Sequence, residues 1–299
     1  MLITATGRIQ RCNVGRGKIP TGALVVATEA RPAPPATNLP TEDTKLRPET
    51  YTKPLREVGS FFALSLDILV QMVHPPWAWR EFIHQSWFVA RVTIFPTFMV
   101  SIPFNAFAVF IINILLVEIG AADLSGTGAA LACVVYIGPI STVLVVAGCG
   151  ATAMCAELGA RTIREEIDAM RVMGIDPVQR LLVPRVLALM VNGLLLNAIN
   201  TIVGLVTSYF FSVGFQHVNP GSYAASLTLL VGVTEVVIAF VKATLFGLIA
   251  GFIACYKGLT VGGGPQGVGN AVNETVVYTF MALFVINVVL TAVTTKATM

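Results

Sequence analysis

Five long apolar stretches, four of them free of Asp, Glu, Lys, Arg and His, constrain the fold of this chain more than any other feature. They run from Val92 to Val117, Thr127 to Ala156, Val186 to Phe215, Val236 to Tyr256 and Thr275 to Thr295. About 20 apolar residues cross a bilayer as helix, and a helix satisfies every backbone donor and acceptor within its own segment where no water can do so. The composition agrees: 55% of the residues are hydrophobic and 12% charged, against about a quarter charged in soluble domains. The expected fold class is therefore all-α integral membrane, with five transmembrane helices. Pro96, Pro103 and Pro139 fall inside the first two spans, where kinks are expected.

Lys and Arg set the orientation, because they translocate poorly. Eleven of the 19 precede the first span, and Arg161, Arg164, Arg171, Arg180 and Arg185 fall between the second and third. The segments 118–126 and 216–235 carry none. The amino terminus and the 157–185 and 257–274 loops are thus expected in the cytoplasm, with the carboxyl terminus outside, on the periplasmic face. The net charge of +3 reads as this orientation signal, and no nucleic-acid partner is implied.

Residues 1–54 are rich in Pro, Thr and Ala and lack sustained periodicity, which predicts a disordered cytoplasmic tail. A signal peptide competes poorly, since the apolar run starting at Gly22 is about six residues against the 7 to 15 needed. Residues 55–91 join a short apolar helix interrupted by Asp67 to a stretch holding Trp77, Trp79 and Trp87, the three tryptophans of the chain. Clustered Trp beside Arg80 and Arg91 predicts interfacial helices before a permease domain at 92–299. A cytoplasmic helix packed on protein remains the alternative.

The loop ELGARTIREEIDAMRVMGIDP (157–177) is the most informative segment. Thr162 and Glu165 have capping-box spacing, Gly174 suits a carboxyl cap, and Pro177 blocks continuation. A short helix near 162–174 is predicted, with Ile163, Ile167 and Met170 along one side. Such a helix can dock an apolar ridge on a partner or remain a solvated loop helix held by ion pairs, and the residues alone leave both open. Within the spans, Lys242 is costly in lipid, and Glu235 lies two turns earlier on the same face. The two read as a polar site on a substrate path, or Lys242 as half of an ion pair with Glu157 or another helix. Gly247 and Gly251 form a small-xxx-small packing pattern, as do Ala147, Ala151, Cys155 and Gly159. The Gly262-x-Gly264-x-x-Gly267 string sits between two spans, so it reads as a tight turn rather than a dinucleotide site. Five scattered cysteines (Cys12, Cys133, Cys149, Cys155, Cys255) predict free packed thiols, and the scattered histidines predict no metal. No GxxxxGK[ST] string occurs, so ATP hydrolysis would fall to another chain.

The loop just described, the VPRVLA that follows it and YKGLTVGGGPQGVGNAVNETVV before the last span resemble the MlaE/YrbE permease family, over roughly residues 55–299. Within it the chain is similar to the A-type YrbE subunits that mycobacteria and related actinobacteria encode with Mce proteins. The resemblance implies an MlaE-like permease whose short loop helix, through Glu165, Glu166, Asp168, Ala169, Met170 and Gly174, couples to a cytoplasmic ABC ATPase dimer. It implies a B-type YrbE permease paralogue as membrane partner and Mce-domain tunnel proteins outside. It also implies a lipid substrate and the cell inner membrane as the location. No cofactor is expected on this chain, ATP and Mg belonging to the ATPase, and no catalytic residue is assigned. Lipid import is the leading expectation, with fatty or mycolic acids favoured because Lys242 could meet a carboxylate. An ion-coupled secondary transporter using Glu235 and Lys242 is the alternative, although no internal repeat supports it. A lipid-modifying enzyme finds no Ser/His/Asp set or HExxH in the sequence.

Overall fold

The computed structural model describes residues 49–73, 78–229 and 231–298, and nearly all of them are helical. Besides a single 3-10 turn at Ala122–Leu124, eight helices follow in order among the described residues: α1 (Glu49–Val73), α2 (Trp79–Glu118), α3 (Ser125–Ile163), α4 (Glu166–Val172), α5 (Val178–Gly214), α6 (Pro220–Ser226), α7 (Val233–Leu259) and α8 (Gly264–Thr298). Five of them, α2, α3, α5, α7 and α8, are long and apolar enough to cross a membrane. These match the five stretches read from hydropathy, each extended beyond its apolar run.

The extensions correct two expected boundaries. Residues 79–91 are not a separate helix: they form the first turns of the helix that continues as the first span. Nothing between Ala78 and Pro96 breaks a helix, and α2 passes through both Pro96 and Pro103. The helix expected from residue 55 begins at Glu49, and the rest of the expected tail, including Cys12, lies outside the described residues.

Buried and exposed residues on the spans reverse the pattern of a soluble bundle. On α2 every fourth residue faces inward, and the row reads Gln85, Val89, Thr93, Thr97, Ser101, Asn105, Val109, Asn113. Its outward face carries Phe95, Met99, Phe107 and Ile111. Lipid tails are as apolar as these rings, so helices gain little by hiding them from it; close packing and hydrogen bonds hold the interfaces instead. The polar row meets a matching one on α5, where Asn113 Nδ2 donates to Ser212 Oγ at 2.8 Å and Asn192 Nδ2 to Ser86 Oγ at 2.9 Å. A Cβ on Gly204 would stand 2.8 Å from Asn105 Oδ1, so glycine admits the asparagine there. Rows of period four on both partners suit interdigitation of their i±4 ridges.

Between these helices α3 supplies the centre. Ala147, Ala151 and Cys155 are fully enclosed, in a core shared with Leu189 and Leu196 of α5, Phe246, Ala250 and Ala254 of α7, and Leu283 of α8. Pro139 removes a backbone donor, and the turns before it widen to π-helix over Leu131–Ile137, with a second π stretch at Val146–Ala151. Asn200 of α5 donates to Gly138 O at 2.8 Å and to Ser141 Oγ, tying α5 to this irregular part of α3. In the 216–235 segment, α6 folds back onto the spans: Thr127 Oγ1 donates to Ser226 O at 2.6 Å, and Tyr223 and Ser208 share a hydroxyl hydrogen bond of 2.7 Å. Burial pushes the Tyr223 phenol above its ordinary pKa.

At the other end of the molecule, α1 buries Ile68 against Leu158, Leu182, Val186 and Phe252. Its opposite face leaves Phe62, Leu66, Val70 and Val73 exposed, an apolar surface spaced three to four residues apart. The glycine-rich segment makes the expected tight turn. Gly264 takes φ +83, and a Cβ on Gly267 would collide with Gly262 O.

Candidate functional site

The end of the molecule carrying α4 gathers most of the charge in the described residues. Glu157, near the end of α3, accepts from Arg185 Nη2 at 2.7 Å, Arg161 Nη2 at 2.8 Å and Gln85 Nε2 at 3.3 Å. One carboxylate thereby joins α2, α3 and α5. The Arg185 side chain is 0% exposed and that of Glu157 25%. Isolated, either charge would be costly so deep in protein; together, with Leu181 O accepting from Arg185 Nη1 at 3.4 Å, they form a charge-assisted clamp. Sequence reasoning missed it by treating Arg185 as a loop charge. The available signal was its place inside VPRVLA, an apolar run where an unpaired Arg would be unfavourable.

From this clamp the chain turns into α4. Thr162 does not start the helix, correcting the expected capping box and the 162–174 boundary. It belongs to the last turn of α3, where its hydroxyl donates to Leu158 O at 3.0 Å and Gly258 O at 2.9 Å. Arg164 and Glu165 form the turn, Glu165 standing in the left-handed region at φ 59 with no side-chain capping bond. A non-glycine residue there costs about 1–2 kcal/mol, and it redirects the chain within two residues. The far end of α4 is a Schellman motif: Gly174 at φ +75 donates to Arg171 O and Ile175 to Met170 O, both at 3.0 Å.

The ridge of α4 faces the opposite way from the sequence expectation. Ile167 is buried and Met170 packs beside it, both in the α1/α3/α5 core. Ile163 is half-buried in α3. What α4 presents outward is Asp168, Ala169, Arg171, Val172 and Met173, with Val172 88% and Met173 66% exposed. Surface ion pairs brace this face, Arg171–Asp168 at 3.0 Å and Arg164–Glu166 at 3.3 Å. Of the expected coupling residues, Glu165, Asp168, Ala169 and Gly174 are exposed, Glu166 is half-buried, and Met170 turns inward.

A short helix closed by a Schellman motif thus projects from the charged end of five apolar spans. Residues 82–293 match the family described as Permease MlaE. The chain belongs to the MlaE permease family. Relatives of this MlaE permease include a probable ABC transporter permease protein of Rickettsia bellii, 26% identical over 244 residues, covering 79% of this chain and 91% of the relative. A similarly named protein of Rickettsia typhi is 30% identical over 155 residues, covering 52% of this chain and 60% of the relative. The chloroplastic protein TRIGALACTOSYLDIACYLGLYCEROL 1 of Arabidopsis thaliana is 32% identical over 156 residues, 52% of this chain and 45% of the relative.

Inside the spans of this permease, Glu235 and Lys242 do not form one site. Glu235 Oε2 accepts from Gly232 N at 2.8 Å and caps the start of α7. Lys242, 3% exposed, donates instead to Thr291 Oγ1 of α8 at 3.1 Å. Glu157, the other carboxylate considered for it, is engaged in the clamp. Gly247 and Gly251 lie where α7 crosses α5. A Cβ on Gly247 would collide with Leu189 O, and one on Gly251 would stand 3.1 Å from Val186 Cα. Gly193 of α5 answers from the other side, its absent Cβ falling 2.9 Å from Ala243 O.

Proposed function

We propose that this chain is the membrane-spanning subunit of an ATP-driven lipid transporter, with α4 as the surface on which a separate ABC ATPase acts. The observation carrying the reading is α4 itself: an exposed Val172–Met173 tip flanked by Asp168 and Arg171, anchored by Ile167 to the core beneath. A tip of this kind fits a groove on a partner, while the buried side and the Glu157–Arg185 clamp pass its displacement to α3 and α5. The names of the Rickettsia relatives support an ABC permease, and the Arabidopsis relative is named for a diacylglycerol lipid.

In the finer form of the proposal the chain pairs with a B-type YrbE paralogue, receives lipid from Mce-domain proteins outside and sits in the cell inner membrane with α4 in the cytoplasm. Fatty or mycolic acids are the proposed cargo, with the Lys242 ammonium meeting a carboxylate on the lipid path. The ion-coupled alternative needs Glu235 and Lys242 to act together. They stand roughly 10 Å apart along α7, each with its own partner.

The deciding experiment is co-purification of the full complex with the double substitution Asp168→Lys, Val172→Glu. Loss of the ATPase with retained membrane insertion and permease pairing is expected. Retention of the full complement of ATPase refutes the coupling role of α4.

A further inference from the structure

Where α1, α7 and α8 meet, two adjoining cavities of ≈440 and ≈370 Å³ share Glu57, Tyr256, Lys257 and Tyr278. Each falls within the range of small-molecule sites, about 300–1,000 Å³. The first is polar, extending to Asn270, Thr260 and Glu274. The second is walled by Val58, Phe61, Ile253 and Ala282. A polar chamber opening onto an apolar trough at the end of membrane spans has the shape of a head group with the first part of its acyl chains.

Charge narrows the head group. Lys257 Nζ lies 2.6 Å from Glu274 Oε2 and 4.6 Å from the centre of the Tyr278 ring. Tyr256 fastens the α1 wall, its hydroxyl donating to Glu57 O at 3.1 Å and lying 2.9 Å from Ser60 Oγ. The lining thus carries two carboxylates, Glu57 and Glu274, against one ammonium, a formal charge of −1. A bare anion meets net repulsion there. A zwitterion places its ammonium by the carboxylates and the tyrosine rings and its phosphate by Lys257.

We propose that this recess binds one phospholipid with an amine-bearing zwitterionic head group, of the phosphatidylethanolamine class, from the leaflet on the α4 side of the molecule. Thr162 donates to Gly258 O at 2.9 Å, which sets the recess level with the start of α4. Lys242 lies 15 residues away along α7, about 22 Å, so the recess is distinct from the Lys242 position. The proposal stands independently of the transport reading, because its test measures neither ATPase nor lipid movement.

The full chain in detergent is titrated with phosphatidylethanolamine, phosphatidylglycerol and soluble glycerophosphoethanolamine, and bound lipid is counted by native mass spectrometry. Wild type is expected to hold phosphatidylethanolamine about tenfold more tightly than phosphatidylglycerol, the worth of one charge-assisted hydrogen bond. Glu274→Gln is expected to reverse that preference, since it removes a carboxylate and releases Lys257 for an anion. Glu274 is 54% exposed and the substitution is nearly isosteric, so the fold should persist. Size-exclusion chromatography and helical circular dichroism check this, and Tyr278→Leu, which removes a ring from the ammonium site and from beside Lys257, is expected to weaken phosphatidylethanolamine binding. Equal binding of the two lipids to wild type, an unchanged preference in Glu274→Gln, or equally tight binding of the soluble head group overturns the proposal.

Discussion

Replacing Glu157 with Met removes the carboxylate and leaves Arg185 charged, fully enclosed and without its ion-pair partner. Breaking a buried pair from one side costs about 3–5 kcal/mol, and the partial exposure of Glu157 argues for the lower end, about 3 kcal/mol. The reverse replacement, Arg185→Met, leaves Glu157 with Arg161 at 2.8 Å and Gln85 at 3.3 Å, so it should cost only about 1.5 kcal/mol, the low end for a hydrogen bond to a charged group. Exchanging both for Met removes the stranded charge and should recover most of the loss. Cys255 provides the reporter, being a buried thiol in the same cluster as the residues around Arg185. Its modification rate in detergent, followed on the peptide by mass spectrometry, tracks local opening. At about 1.4 kcal/mol per factor of ten, Glu157→Met should speed labelling roughly 100-fold, Arg185→Met only about tenfold, and the double variant should return to within tenfold of wild type. A Glu157→Met protein labelled at the wild-type rate, or a double variant as open as Glu157→Met, refutes the clamp.

Gly247→Val should lower the yield of monodisperse protein sharply because its side chain meets Leu189 O, whereas Gly251→Ala, 3.1 Å from Val186 Cα, should be tolerated with a small fall in thermal midpoint. Glu165→Gly should relieve about 1 kcal/mol of left-handed strain and hold or raise the thermal midpoint, while Glu165→Val lowers it; the opposite order would mean that the turn at φ 59 is not what sets the α3–α4 angle. Lys242→Met should assemble normally yet take up less lipid, and Lys242→Arg should keep part of the uptake; full uptake by an assembled Lys242→Met complex removes Lys242 from the substrate path. Cysteine labelling should place Arg164 in the cytoplasm and Lys296 outside, and protection of both from the same side would contradict the orientation.

Hydropathy disclosed the five spans because an apolar run of that length has one stable form in lipid, whatever its neighbours are. The ends of the helices were harder to read, since polar turns such as Trp79–Arg91 continue a helix once its first span exists to nucleate them. Gly174 could be read as a cap from its residue type and position alone. Thr162 and Glu165 could not be read correctly, because whether Thr162 opens a helix or closes one depends on Gly258 O, 96 residues away. The same limit hid the inward turn of Ile167 and Met170: an amphipathic stripe reveals that a helix has an apolar side without telling whose surface covers it. The polar row on α2 was visible in the spacing Thr93, Thr97, Ser101, Asn105, and it becomes informative only once lipid is taken as the outer solvent.

The two π-helical stretches of α3 act as phase keepers, absorbing extra residues without turning the helix beyond them. Each wide turn holds a residue more than an α-helical turn would, and one residue is worth about 100° of rotation. Deleting a single residue within Leu131–Ile137 would therefore leave an unbroken and more regular helix. Everything beyond the deletion would keep nearly its present bearing, whereas rewinding all seven residues as ordinary α-helix would turn it by about 100° against everything before it. In that rewound helix Thr127 could keep its bond to Ser226 O, or Glu157 could keep Arg185, but the two ends could no longer be satisfied together. The irregular turns thus act as angular spacers, reconciling contacts at opposite faces of the membrane that a straight helix would set at incompatible bearings.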